Sequence, residues 1–131
     1  MSRRELRERI FKMVFRVEFH PEEELKEQLE IFLEENEPMD EADEAYIQKK
    51  YEAIREKIPE IDEAINAHTK GWKTDRIGKV ELAIIRLGVY EMLYDEEIPT
   101  SVAINEAVEL AKKYGTDEAP GFVNGVLAKI V

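Results

Sequence analysis

Basic side chains cluster at the start of the chain, and phosphate binding is the chemistry that such a cluster could perform. Residues 2–16 hold two acidic and six basic side chains, the basic ones being Arg3, Arg4, Arg7, Arg9, Lys12 and Arg16. A cation in the first turn of a helix faces the positive end of the helix dipole, at a cost of about 0.3–1 kcal/mol. Contact with RNA or DNA would offset that cost. A solvated helix end and salt bridges to acidic residues elsewhere are the alternatives, and sequence physics alone does not choose among the three.

The remainder of this 131-residue chain is acidic, since the whole carries a formal net charge of −11. Residues 17–63 hold 18 acidic and 5 basic side chains, whereas residues 64–131 are nearly balanced. This segregation argues against a protein that coats nucleic acid over its whole surface, but it allows one basic edge. A hydrophobic content of 44% favours folding over disorder, and the length suits one domain spanning residues 1–131.

Residues for catalysis or metal binding are scarce. The chain has no cysteine and only two histidines, His20 and His68, neither of which has the spacing of a metal-binding motif. We see no glycine-rich phosphate loop and no nucleophile elbow. The sequence therefore predicts a binding module rather than an enzyme, with no cofactor and no metal. Neither a secretory signal nor a membrane span is apparent, which favours a cytoplasmic protein.

The apolar residues that must position these side chains recur with a helical period throughout. Leu6, Ile10, Met13, Val14 and Val17 mark one face of a first helix. Proline, glycine and small polar residues then divide the chain, and the sequence predicts an all-α fold of about seven helices. The predicted boundary residues are Pro21, Asp40 as an N-cap, Pro59 ending or kinking a third helix, Gly71, Thr74 as an N-cap, Pro99, Gly115, and Thr116 or Asp117 as an N-cap.

The fifth predicted helix, around "ELAIIRLGVYEML", is apolar on nearly all sides. A helix with that pattern is buried in the core of a protein. We therefore expect it at the centre of the domain. The charges of Glu81 and Arg86 on this helix must reach the surface or meet a partner, because burying an unpaired charge is expensive.

Several stretches resemble the NusB family of transcription antitermination factors. They are "IIRLGVYEML", then "IP" followed by "VAINEAVELAKKYG", then "FVNGVL", with "RRELRERIFKMVF" at the start of the chain. The resemblance is strong over residues 72–130, whereas residues 20–70 match only in helical pattern and length. It implies two small helical bundles packed crosswise. It also implies binding of single-stranded boxA RNA from ribosomal RNA leader transcripts.

The resemblance also implies protein partners. The first is the small-subunit ribosomal protein that acts as NusE, and the pair would join NusA, NusG and RNA polymerase. A homodimer is a further possibility. Two other functions stay open: a protein-only helical adaptor, and a domain related to the NusB-like part of a ribosomal RNA cytosine-5 methyltransferase. The absence of cysteine disfavours the methyltransferase, which needs a cysteine nucleophile.

Particular residues correspond to functional positions of the family. Those implied to contact RNA are Arg3, Arg4, Arg7, Lys12, Glu118 and Phe122, and those implied to face the protein partner are Glu81 and Arg86. Each has a structural alternative. Phe122 stacks on a base or packs in the core with Val126. Glu118 accepts from a base amino group or complements a helix dipole, and Arg86 and Glu81 bind a partner or form internal ion pairs.

Overall fold

The computed structural model describes residues 1–36, 38–71 and 73–131. Glu37, in a predicted loop, and Trp72, at the start of the region with the strong resemblance, lie outside this part. Within it we find six α-helices, two 3₁₀ turns and no strand, so the predicted all-α class is confirmed. The α-helices are α1 (Arg3–Arg16), α2 (Leu25–Glu35), α3 (Glu41–His68), α4 (Lys79–Leu93), α5 (Thr100–Tyr114) and α6 (Ala119–Ile130), and the 3₁₀ turns are Val17–Phe19 and Glu22–Glu24.

The chain divides into two compact units, Met1–Glu56 and Lys57–Val131. In the first unit, α1 packs on α2. The two helices contribute a set of buried apolar side chains that includes Ile10, Met13, Leu29 and Phe32. This is the face that the period of the first segment predicts, and its burial places the basic residues of α1 toward the other side of the helix.

The prediction of about seven helices is wrong at one place, because α3 runs through Pro59 without a break. A proline inside a helix removes a hydrogen bond and costs about 3 kcal/mol. However, apolar residues continue across it at alternating spacings of four and three, namely Ile47, Tyr51, Ile54, Ile58, Ile61 and Ile65, and all but Ile58 are fully buried. Burying each such side chain contributes about 1.5–3 kcal/mol, so the continuous face outweighs the proline.

The second unit is organised around α4, which packs on both α5 and α6, while α5 and α6 pack on each other. Every residue of α4 from Leu82 to Val89 is buried, as its apolar sequence predicts. Gly88 leaves room for side chains of α5 and α6 to approach the backbone of α4. A Cβ atom there would sit 3.0 Å from Leu127 of α6 and 3.5 Å from Ala107 of α5.

Helix boundaries follow the predicted signals in part. The Asp40 side chain accepts a hydrogen bond from the Ala42 N–H at 2.9 Å, which is the expected N-cap of α3, and Gly115 is the C-cap of α5. Thr74 and Thr116 or Asp117 are not N-caps; Gly78 and Glu118 hold those positions. No helix among the described residues is long and apolar enough to cross a membrane.

Candidate functional site

The start of α1 is held in place by two interactions within the first unit. Ser2 is the N-cap, and its hydroxyl accepts a hydrogen bond from the Glu5 N–H at 3.1 Å. The Met1 amine donates to Asp43 of α3 at 2.9 Å, and this hydrogen bond raises the pKa of the amine. The serine followed three residues later by glutamate is a capping-box signature, which our sequence analysis missed. The helix that carries the arginines therefore begins at Arg3.

The cations of α1 differ in their surroundings. Arg3, Arg4 and Lys12 are exposed and Arg7 is half-buried, so the four predicted RNA-binding cations on this helix reach its surface. Arg16, at the other end of α1, has a packing role. Its guanidinium donates to Glu35 at 3.1 Å and lies 5.2 Å from the centre of the Phe32 ring. Salt bridges to acidic residues were one of the alternatives that the sequence left open for the basic side chains. Arg16 makes such a salt bridge.

In the second unit, three of the predicted site residues line one surface pocket of about 240 Å³. These are Glu81 near the start of α4, and Glu118 and Phe122 at the start of α6, with Ile77, Gly78, Thr116 and Ala119 completing the walls. The structure therefore brings a predicted partner-binding residue and two predicted RNA-binding residues together. Sequence spacing alone does not show this, since Glu81 and Phe122 belong to different helices.

Phe122 is half-buried in the first turns of α6, whereas Val123 and Val126 are buried. The ring is thus neither a full core residue nor a fully exposed one, and one side of it is open to the pocket. Glu118 is exposed at the N-cap position of α6 and makes no side-chain capping hydrogen bond. Its carboxylate still lies at the positive end of α6, where a negative charge is favourable.

Glycines on the exposed side of α6 have free space around them. A Cβ atom at Gly121 or Gly125 would meet nothing within 4 Å, and both residues are exposed. Glycine inside a helix costs roughly 0.5–1 kcal/mol relative to alanine. Packing in the described parts of the chain gives no reason for these two glycines, so they leave helix backbone open to an external molecule.

Glu81 is half-buried, and its carboxylate folds back beside Gly78, the N-cap of α4. The N-cap of α4 has no side chain, and Glu81 is the third residue of the helix, the position from which glutamate reaches back in a capping box. The negative charge therefore lies at the positive end of α4, on the wall of the pocket.

Arg86 is 5% exposed and forms a two-pronged ion pair with Asp62 of α3. Its Nε donates to one Asp62 carboxylate oxygen at 2.9 Å and its NH2 group to the other at 2.7 Å. The internal ion pair is therefore present, and this geometry favours it over direct contact of Arg86 with a partner. Sequence analysis missed Asp62, since no local pattern connects positions 24 residues apart.

No group of three or more histidine or acidic side chains in the described residues is arranged to hold a metal ion. His20 contacts Glu24 at 3.3 Å, and His68 contacts the Ala64 carbonyl at 2.8 Å. Both contacts are local, over four residues. The surfaces of α1 and of the pocket therefore remain the candidates for function.

Comparison with known proteins shows which family the chain belongs to. The sequence profile of the NusB family matches residues 4–131. This chain belongs to the NusB family. It is 56% identical to the transcription antitermination protein NusB of Agathobacter rectalis over 130 residues, which cover 98% of each chain. It is 47% identical to the protein of the same name in Lachnoclostridium phytofermentans, covering 100% of this chain and 99% of that one.

Solved NusB structures have the same fold. The NusB structure of T. maritima superposes with a TM-score of 0.89 at 35% identity, covering 99% of this chain and 90% of that one. A NusB chain from a crystal structure of the antitermination factors NusB and NusE in complex with double-stranded RNA gives a TM-score of 0.82 at 30% identity, covering 98% and 94%. These matches agree with the all-α class of the described residues.

Proposed function

We propose that this protein is a transcription antitermination factor that binds boxA RNA of ribosomal RNA leader transcripts together with the ribosomal protein NusE. The observation that carries the proposal is the exposure of arginine and lysine side chains on the capped start of α1, in a chain 56% identical to a NusB antitermination protein. A relative of the same fold has been crystallised with NusE and RNA. We further propose assembly with NusA, NusG and RNA polymerase, the setting in which an antitermination factor acts.

The RNA-binding surface that we propose begins at α1. Arg3, Arg4, Arg7 and Lys12 supply positive charge, and a phosphate near Arg3 and Arg4 would compensate for the unfavourable placement of these two cations in the first turn of α1. Phosphate contacts of this kind supply affinity without reading sequence. The net charge of −11 for the whole chain repels a polyanion elsewhere, which would restrict binding to this basic surface.

The second set of RNA contacts that we propose lies at the start of α6. Phe122 is half-exposed to the pocket, and an aromatic ring in such a place can stack on an unpaired base at about 1–3 kcal/mol per base. Glu118 can accept a hydrogen bond from a base amino group. The exposed backbone at Gly121 and Gly125 allows close approach of the RNA.

The contact with NusE that we propose includes Glu81. Its carboxylate lies on the pocket wall and can pair with a cation of the partner. Arg86 has a different role in this proposal. Its ion pair with Asp62 holds α4 against α3 and supports the surface on which Glu81 lies.

Titration of the protein with a single-stranded boxA-like RNA, with and without the NusE protein, tests the proposal. We expect specific binding that strengthens when NusE is present. Four to six phosphate contacts predict a slope of about −3 to −4 for the logarithm of the binding constant against that of salt concentration. A protein-only adaptor would bind NusE but show no RNA affinity above that for a scrambled RNA of equal length, and this result would contradict the proposal.

A further inference from the structure

Gly78 has a backbone conformation that any residue can adopt. Its φ and ψ are −58° and 148°, so no left-handed geometry requires glycine there. Yet a Cβ atom at this position would lie 2.5 Å from the Oε2 atom of Glu81, closer than such atoms approach in proteins. Apart from Glu81, and leaving aside the two chain neighbours of Gly78, none of the described side chains comes within 4 Å of it. The missing side chain at position 78 thus makes room for the Glu81 carboxylate alone.

The Glu81 carboxylate lies in a notch beside Gly78 and Gly115, and Gly115 borders this notch for a different reason. A Cβ atom there would lie 3.6 Å from Oε1 of Glu81, an ordinary contact. It would also lie 2.5 Å from the Cβ of Ala119 and 2.9 Å from the Ala111 carbonyl oxygen. Gly115 is therefore required by the close packing of α5 on the start of α6. A side chain at Gly78 would instead displace only the flexible end of Glu81.

We propose that Gly78 is a positioning residue that holds the Glu81 carboxylate in this notch, ready for the protein partner. This inference rests on the proposed contact between Glu81 and NusE. An exposed glutamate samples several rotamers, and fixing one of them on binding costs about 0.5–1.5 kcal/mol. A carboxylate that already occupies the notch avoids much of that cost. Gly78 thereby contributes to partner affinity without touching the partner.

Replacement of Gly78 by serine distinguishes an effect on the position of the Glu81 carboxylate from an effect on the stability of the protein. Serine is a better N-cap than glycine, so the variant should fold and melt at the same temperature as the wild type or higher. Its Cβ would lie only 2.5 Å from Oε2 of Glu81, so the carboxylate must move away, and its hydroxyl can itself cap the first N–H groups of α4. A purely structural role for position 78 predicts unchanged partner binding in a variant of unchanged stability. A positioning role predicts weaker binding.

The test is a double-mutant cycle that combines Gly78→Ser and Glu81→Ala, with Asp75→Ser as a control on the preceding exposed turn. Calorimetry with the NusE protein measures affinity, and thermal melts measure stability. We expect Gly78→Ser to weaken binding about 2- to 12-fold, the equivalent of one freed rotamer. In the Glu81→Ala background the same change should have no further effect. Normal NusE affinity of Gly78→Ser, or independent effects of the two changes, would overturn the inference.

If the proposed function itself is wrong, the binding experiment gives a different result. If the wild-type chain does not bind NusE at all, the contact between Glu81 and NusE is wrong, and the affinity role of Gly78 is overturned with it. A crystal structure of Gly78→Ser then decides the geometric part separately. A Glu81 carboxylate displaced from the notch supports positioning by Gly78, and a carboxylate that stays beside residue 78 refutes it.

Discussion

Arg86 of α4 and Asp62 of α3 form a two-pronged ion pair, with N···O distances of 2.9 and 2.7 Å. Arg86 is buried, while the Asp62 side chain is 22% exposed. A guanidinium in an apolar helix is costly to bury, and two parallel hydrogen bonds to one carboxylate are the strongest way to compensate. The pair therefore explains how a charge can occupy the most buried helix of the second unit.

Asp62→Ala should destabilise the protein. The change leaves the Arg86 guanidinium buried without its two carboxylate acceptors, and loss of a hydrogen bond to a charged group costs about 1.5–3 kcal/mol. Chemical denaturation measures the free energy of unfolding. Glu63→Ala, the removal of an exposed carboxylate one residue further along α3, is the control and should change it little. Equal stability of the two variants would show that the ion pair contributes nothing.

Arg4→Glu combined with Arg7→Glu should abolish RNA binding while leaving the helical circular dichroism intact. Arg4 is exposed and Arg7 is half-buried, and glutamate at either position repels phosphate. At position 4, in the first turn of α1, glutamate also suits the helix dipole. Lys26→Glu combined with Lys49→Glu is the matched control, since it changes the net charge equally at exposed positions of the acidic segment. If both double variants lose affinity alike, overall charge rather than the α1 surface governs binding.

Phe122→Ala distinguishes a stacking role from a core role. Loss of a core phenylalanine costs about 3–5 kcal/mol of stability. Loss of a stacking ring costs about 1–3 kcal/mol of RNA affinity with a smaller effect on stability. Because the ring is half-buried on the pocket wall, we expect the second result. Thermal melts and RNA titrations of this one variant decide between them. A large drop in melting temperature with normal RNA affinity per folded molecule would favour the core role.

Gly121→Ala should raise stability by roughly 0.5–1 kcal/mol, since an added Cβ meets no neighbour and alanine favours the helix. If RNA approaches the backbone here, the same change should weaken RNA binding. Gly115→Ala is the control and should lower stability instead of raising it, because its Cβ would collide with Ala119. A Gly121→Ala variant that is more stable and binds RNA normally would show that no ligand approaches this side of α6.

Glu81→Arg should weaken binding of the NusE protein by a few kcal/mol if a cation of the partner faces the carboxylate, since like charges then oppose each other. RNA affinity in the absence of NusE should change much less. Pull-down and calorimetry with NusE measure the effect. If the Glu81→Arg variant recovers NusE in a pull-down as well as the wild type does, Glu81 does not lie in the proposed interface.

The sequence by itself determined the helical class, the buried face of α1, the burial of α4 and the basic start of the chain. These depend on local periodicity and composition, which act over a few residues. Local signals were also enough for the Asp40 and Gly115 caps. They failed at Pro59, because a proline counts against a helix locally, while the benefit of burying the face from Ile47 to Ile65 depends on the rest of the fold.

Only the tertiary structure decided which distant residues meet. The pairing of Arg86 with Asp62 and the gathering of Glu81, Glu118 and Phe122 around one pocket join different helices. The same holds for the space at each glycine. Gly115 and Gly121 look alike in the sequence, yet one is enclosed by Ala119 and Ala111 while the other faces open space. Packing between helices sets these distances, and no spacing along the chain encodes them.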